Sequence, residues 1–375
     1  MRKNGKLLLS LLLSLVLAFG IMTSALAAEG DDTVLKFNNG QLKILLLADC
    51  QDGAVPDGRM IQMINDALDA EQPDLVVFLG DNVVQVGKAL NEAAIRQIVE
   101  PVTSRGIPFS FVFGNHDGEA RSEDEMLAFY QSFPGCLTYD ADPEIFGTAN
   151  CNVPVYSSDG SEIVYNLWFL DANNYDEEVG AYYDHVHEDQ LNWYRETSIA
   201  LEEQVGHKVP SMMFQHIPLP QIYDFVQEAT PEDTVTWEYM GKLYTNRLIE
   251  GADVEGFAGA VPGAPAQDGG QFAVLQERGD VVAVVNGHDH TNAMVAHHEG
   301  GIDLISCPTA NAALDSYGDV HGYGVITLDE SDLSSYSYDT VSYTSMYPDE
   351  NVFTGFIKQL RGLFSSLMII FEQLF

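Results

Sequence analysis

Six apolar runs, each ending abruptly in polar residues, constrain the fold of this chain more than any other feature. Residues 42–47, 75–79, 109–113, 163–170, 210–214 and 281–285 are short and rich in aliphatic or aromatic side chains, so they read as buried strands. Between them, 60–68, 89–102, 123–133 and 189–203 carry apolar residues at helical spacing. Alternating strand and helix patterns predict an α/β fold. Further on, 293–297 and 301–306 flank a His-Glu-Gly-Gly turn, and 324–328 with 335–343 add strand patterns; both pairs are expected to be antiparallel. The Gly/Pro-rich piece 251–270 reads as a long surface loop, and no repeat recurs at a fixed period. With 375 residues, 46% of them apolar, one large catalytic domain is the simplest account.

Five polar clusters sit where the strand-like runs stop, the place at which open α/β sheets hold their ligands. They contain Asp49 and Gln51; Asp81; Asn115, His116 and Asp117; His216; and His288, Asp289 and His290. Each alone fits an ordinary turn or a satisfied core group. Together, mixing carboxylate, amide and imidazole donors, they fit a pair of metal ions. Two cations about 3.5–4 Å apart need one carboxylate shared between them and separate ligands on either side. Asp81 is the natural bridge, because its two oxygens can hold both cations while partly cancelling their repulsion. Asp171, Asn173 and Asn174 after a strand, and His185 and His187 before a helix, carry weaker signals.

The order of these blocks resembles the calcineurin-like metallophosphoesterase superfamily over residues 42 to about 330. The wording Gly80-Asp81-Asn82-Val83, Gln215-His216-Ile217-Pro218, Gly287-His288-Asp289-His290 and Gly322-Tyr323-Gly324 resembles its purple acid phosphatase-like branch, in the subgroup sharing Gly-His-Asp-His. That resemblance implies a four-layer sandwich of two mixed β-sheets flanked by helices, with a dimetal site at the C-terminal ends of the strands. It implies that Asp49, Asp81 and His290 hold one metal, and that Asp81, Asn115, His216 and His288 hold the other. His116 is then expected to stabilise the transition state or protonate the leaving oxygen, with Asp117 orienting its ring. Gln51 departs from the pattern, since most relatives have histidine there. Either its carbonyl oxygen ligates, favouring manganese, magnesium or iron over zinc, or its amide only hydrogen-bonds a metal-bound water. The purple enzymes' tyrosine ligand has no counterpart beside Asp81. The implied activity is hydrolysis of small phosphomonoesters by water activated between two metal ions, drawn from Mn, Fe, Zn and Mg. A phosphodiesterase acting on nucleotide- or lipid-type diesters is the near alternative. A metal-binding surface protein that lost turnover through Gln51 is the alternative of another class.

The first 27 residues, with Arg2, Lys3 and Lys6 ahead of an apolar run and Ala25-Leu26-Ala27 behind it, read as a signal peptide and so predict a secreted protein. Residues 28–345 are then the catalytic domain. Residues 346–375 read as an amphipathic helix with apolar positions at Phe353, Phe356, Ile357, Leu360, Leu363, Phe364, Leu367, Ile370, Phe371 and Leu374. That stripe is expected to dock on its own domain or on a second copy, with a membrane surface as the other partner. Acidic residues number 56 against 17 basic, which excludes a nucleic acid duplex as partner. Four cysteines are too few for a disulfide-built scaffold; Cys136 and Cys151 bracket a loop-like stretch and are a candidate pair.

Overall fold

The computed structural model describes residues 34–52, 55–84, 87–175, 183–228, 235–239, 242–259, 261–311, 320–350 and 352–374, with 228, 235–239, 242–247, 352 and 372–374 described by backbone alone. The candidate signal peptide lies outside the described residues. In chain order, β1 (Gln41–Leu47), α1 (Gly58–Glu71), β2 (Leu75–Leu79), α2 (Lys88–Thr103), β3 (Phe109–Val112) and α3 (Glu123–Tyr130) come first. There follow β4 (Cys151–Tyr156), β5 (Ile163–Phe169), α4 (Glu188–Val205), β6 (Ser211–Phe214), and a small ribbon of β7 (Val226–Glu228), β8 (Val235–Tyr239) and β9 (Lys242–Leu248). The last elements are β10 (Val254–Ala258), α5 (Gln271–Arg278), β11 (Val281–Asn286), β12 (Asn292–His297), β13 (Asp303–Ser306), β14 (Gly322–Asp329), β15 (Asp332–Ser342), α6 (Tyr343–Met346) and α7 (Val352–Leu374).

Two mixed sheets result. One runs β15-β14-β1-β2-β3, with β1, β2 and β3 parallel and β14 and β15 antiparallel; the other runs β10-β12-β13-β11-β6-β5-β4, parallel through β13, β11, β6 and β5. Both hairpins expected near the C-terminus form, β12 with β13 and β14 with β15. Side chains alternate faces along a strand, and this parity sorts the apolar residues into three layers. Leu42, Ile44 and Leu46 of β1 group with Tyr165, Leu167 and Phe169 of β5 and with Phe214 and Val285, filling the space between the sheets. Leu45 and Leu47 group with Met60, Ile64, Ile95 and Ile98 of α1 and α2. Trp168 of β5 groups with Leu191 and Tyr194 of α4 on the opposite side. The order is therefore helix, sheet, sheet, helix, and residues 35–375 make one compact unit.

Two expectations need correction. Residues 251–270 are not all loop: β10 pairs with β12 as an edge strand, because Val254 to Ala258 can lie in register with Ala296 to Asn292. All four cysteines are unbridged thiols, Cys136 and Cys151 included, and burial pushes those two up to about 12.

The C-terminal helix α7 packs against α1 and α2, but not through its apolar stripe. Gly355, Gly362 and Ser366 are its buried positions, whereas Phe356, Phe364, Leu367 and Met368 are 53%, 66%, 50% and 59% exposed. The reason is close approach at α1: a Cβ on Gly362 would stand 2.6 Å from the Gly58 Cα, so only small residues fit the crossing. Polar contacts complete the seat. The Ser366 hydroxyl donates to Gln97 Oε1 at 2.6 Å, Lys358 stands 3.4 Å over the Tyr347 ring, and Lys358 pairs with Glu350. Gly362→Val is expected to lower stability by about 1–3 kcal/mol through overpacking, while Phe364→Ser on the outer face stays within about 0.5 kcal/mol. Urea unfolding of the two variants checks this; equal losses would mean that the crossing is not tight.

Candidate metal centre

Five parallel strands deliver the candidate ligands to one rim. The chain leaves β1 at Asp49, β2 at Asp81, β3 at Asn115, β6 at His216 and β11 at His288 and His290, all at C-terminal strand ends of the two sheets. The turn after β2 is forced by packing: Gly80 has φ +85, and a Cβ there would lie 2.6 Å from His216 Nδ1. Three of the ligand candidates themselves hold the left-handed backbone region, Asp49 at φ 50, Asp81 at φ 47 and His288 at φ 71. Each such residue costs about 1–3 kcal/mol, and strain of this kind concentrates at functional sites.

The side chains form two groups with Asp81 in both. Asp49, Asp81 and His290 offer ligand atoms within 4.8 Å of one another, and so do Asp81, His216 and His288. Across the centre, His216 Nε2 lies 3.2 Å from Asp81 Oδ2 and 3.2 Å from His288 Nδ1, and His290 Nε2 lies 3.6 Å from Asp49 Oδ1. His216 Nδ1 donates to the Leu79 carbonyl at 2.7 Å, which leaves Nε2 facing the centre. Asn115 gives its Nδ2 hydrogen to Tyr175 at 3.2 Å, and its buried Oδ1 finds no hydrogen-bond partner among the described residues. An orphaned amide oxygen beside two imidazole-carboxylate groups is a donor set that fits two cations of intermediate hardness. Gln51 is only 5% exposed and its Nε2 stands 2.7 Å from His290 Nε2, which places it with the Asp49 group.

Electrostatics report the same need for positive charge. Burial pushes the Asp49 carboxyl well above its usual range, against the pull of His216. Burial would raise Asp81 too, but His216 and His116 hold it well below that range. Burial works to lower His216, yet Asp81 and Asp49 drive it up to about 10. His288 goes the other way, depressed by burial and by His216.

Asp117 does not orient the His116 ring. Its carboxylate is buried and accepts from the backbone amides of Asn82 at 2.9 Å, Val83 at 3.2 Å and Gly114 at 2.9 Å, bracing the loops after β2 and β3 together. Burial and the Asp81 charge push it up to about 7. The group that holds the ring is Glu119, whose Oε1 is 2.8 Å from His116 Nδ1. Its spacing of three residues along a helical turn was the only available signal. His116 also gives its backbone amide to Asp81 Oδ1 at 2.8 Å, so backbone and ring together tie it to the centre.

Beside Asn115 lies a cavity of about 680 Å³ lined by Glu123, Phe146, Asp171, Asn173, Tyr175 and Asp184 among others, so several weak signals of the sequence converge here. His185 and His187 line it as well, the latter stacked on Phe146 at 3.8 Å. Tyr183 stacks on Tyr175 and sets its ring edgewise to His288 at 4.3 Å, walling the centre.

Asp117→Ala, which strips three buried amides of their acceptor, is expected to lower stability by about 3 kcal/mol and to weaken metal binding. Glu119→Ala, on a half-exposed group, is expected to leave stability within about 0.5 kcal/mol and to cut turnover about tenfold. Urea unfolding and steady-state turnover separate the two; a Glu119→Ala protein with full turnover would remove the ring-holding role.

A profile of the family described as "Calcineurin-like phosphoesterase" matches residues 42–292. Among curated relatives, "Probable inactive purple acid phosphatase 14" of Arabidopsis thaliana is 27% identical over 362 residues, covering 84% of this chain and 83% of its own. "Phosphatase DCR2" of Saccharomyces cerevisiae is 28% identical over 289 residues, covering 70% and 46%. Among solved structures, a dimetal phosphatase from Danio rerio shares the fold with a TM-score of 0.52 at 14% identity, covering 80% of this chain and 96% of that one. The matched span takes in every candidate ligand from Asp49 to His290, and the chain belongs to the calcineurin-like phosphoesterase family, metal-dependent hydrolases of phosphoric esters.

Proposed function

We propose that the protein is an exported phosphomonoesterase whose two metal ions share Asp81. The observation that carries this reading is the meeting of two ligand groups on one carboxylate beside a roomy cavity. The organic substituent of a phosphomonoester would lie in the cavity beside Asn115 and Tyr175. That cavity presents Glu123, Asp171 and Asp184, with no Lys or Arg among the described residues of its lining. Burial, and after it the neighbouring Asp171, push Glu123 up to about 8. Neutral or cationic alcohols therefore suit the leaving group, and polyanions do not. Export rests on the leader-like residues 1–27.

Asp49, Gln51 and His290 on one side, and Asn115, His216 and His288 on the other, would hold the ions with Asp81 between them. When bound, such a pair acidifies a water and neutralises phosphoryl oxygens. The remaining work falls to the chain. His116, steadied by Glu119 and open to the outside, is placed to give a proton to the departing oxygen. Asn115 and Tyr175 border the phosphate position, and Tyr183 keeps water from the His288 side.

A second reading is favoured by Gln51 and by relatives whose names include "probable inactive": a metal-binding protein without turnover. Metal-stripped protein, resupplied separately with manganese, iron, zinc or magnesium, is expected to hydrolyse an aryl phosphomonoester at least about 1000-fold faster than its Asp81→Ala variant. An aryl phosphodiester is expected to turn over more slowly. Preference for the diester would reassign the substrate class, and inactivity with fewer than two ions bound per chain would select the second reading. In the same assay, a substrate bearing a second phosphate on its alcohol is expected to show at least about tenfold lower kcat/KM than the neutral ester.

A further inference from the structure

The helix α7 docks by the face opposite its apolar one, and we propose that the outward face binds the surface of a phospholipid bilayer. Gly355, Gly362 and Ser366 fix the docked side, with Gly362 pressed on Gly58 and Ser366 bonded to Gln97. On the far side, Phe356, Leu363, Phe364, Leu367 and Met368 are 53%, 38%, 66%, 50% and 59% exposed. At 3.6 residues per turn these five cover about 140° of the helix circumference. Monomeric soluble proteins rarely expose a contiguous apolar face of this kind without a partner for it.

Width and charge choose the occupant. A partner helix from a second copy would bury a narrow seam, the stripe that a heptad pair uses, and would leave the borders wet. Here the border residues Leu363 and Met368 are themselves 38% and 59% exposed, and a flat lipid surface takes the full width. The formal charges of α7 are Lys358, Arg361 and, in its last turn, Glu372, and none of the five outward apolar positions has an acid beside it on that arc. Lys358 is engaged with Glu350, and Arg361 is exposed at the flank of the apolar face. An acid-free face with a cation at its edge complements anionic headgroups, whereas two such faces brought together would oppose like charges. No described helix is long and apolar enough to cross a membrane.

Flotation tests this with the chain from residue 28 onward, which keeps the whole compact unit and lacks the apolar run of the leader. The vesicles are phosphatidylcholine alone, or with about one third phosphatidylglycerol. The parent chain is expected to float with both. A variant carrying Phe356→Ser, Phe364→Ser, Leu367→Ser and Met368→Ser is expected to partition at least about 100-fold less, with an unchanged melting curve. Parent protein that stays at the bottom of the gradient overturns the proposal. So does equal flotation of the two proteins. A parent chain that does not float but is dimeric by light scattering, with a monomeric variant, would assign the face to a second copy.

Discussion

Carboxylates buried at one rim are the constraint on which the rest of this molecule depends. Asp49, Asp81, Asp117 and Asp289 are all at most 7% exposed, and an unpaired buried charge is among the most expensive features a fold can hold. The chain offsets them in two ways. His216 Nε2 lies 3.2 Å from Asp81 and 4.0 Å from Asp49, and Asp117 and Asp289, which burial pushes up to about 7, accept backbone amides. The fold's task is to bring five strand ends together so that these groups share one space. The left-handed backbones of Asp49, Asp81 and His288 are stabilised by the surrounding packing. Two cations would relieve the whole arrangement at once, which is why the centre reads as built for them.

What the sequence made legible follows from which signals are local. Strand runs such as 42–47 and 75–79 announce themselves because burial on both faces demands apolar residues throughout, and β1 and β2 lie within a residue of the expected bounds. The ligand clusters were legible because each stands immediately after such a run. The roles of Asp117 and Glu119 were not. Adjacency in sequence suggested that Asp117 serves His116, but the turn after β3 points the Asp117 carboxylate inward to Asn82 and Val83, on a different loop. Glu119 reaches the ring because the short helical turn brings residues three apart onto one side. β10 was hidden because an edge strand with exposed residues lacks the apolar run that marks a buried one.

The C-terminal helix shows a limit of another kind. An apolar stripe identifies which face avoids water, and the usual inference is that it packs on its own core. On α7 the closest approach is instead made by glycines, because two helix backbones can come together at Gly58 and Gly362 with no side chain between them. Small residues look neutral on a hydropathy pattern, so the docking face was invisible beside the brighter stripe. The same packing that seats the helix is what turns Phe356, Phe364 and Met368 outward.

Gln51 makes the two metal positions unequal. Around the shared Asp81, one group holds His216 and His288, while the other holds Asp49 and His290 with the Gln51 amide against His290. An amide is a weaker and harder donor than imidazole, so the Asp49 position should bind its ion less tightly and prefer an oxygen-seeking metal. The contact of Gln51 with His290 at 2.7 Å keeps that amide inside the centre and does not let it drift to solvent. Its backbone carbonyl is held by Asn311 at 2.7 Å, which fixes the loop that carries it. Gln51 is thereby held within the Asp49 group by both its side chain and its backbone.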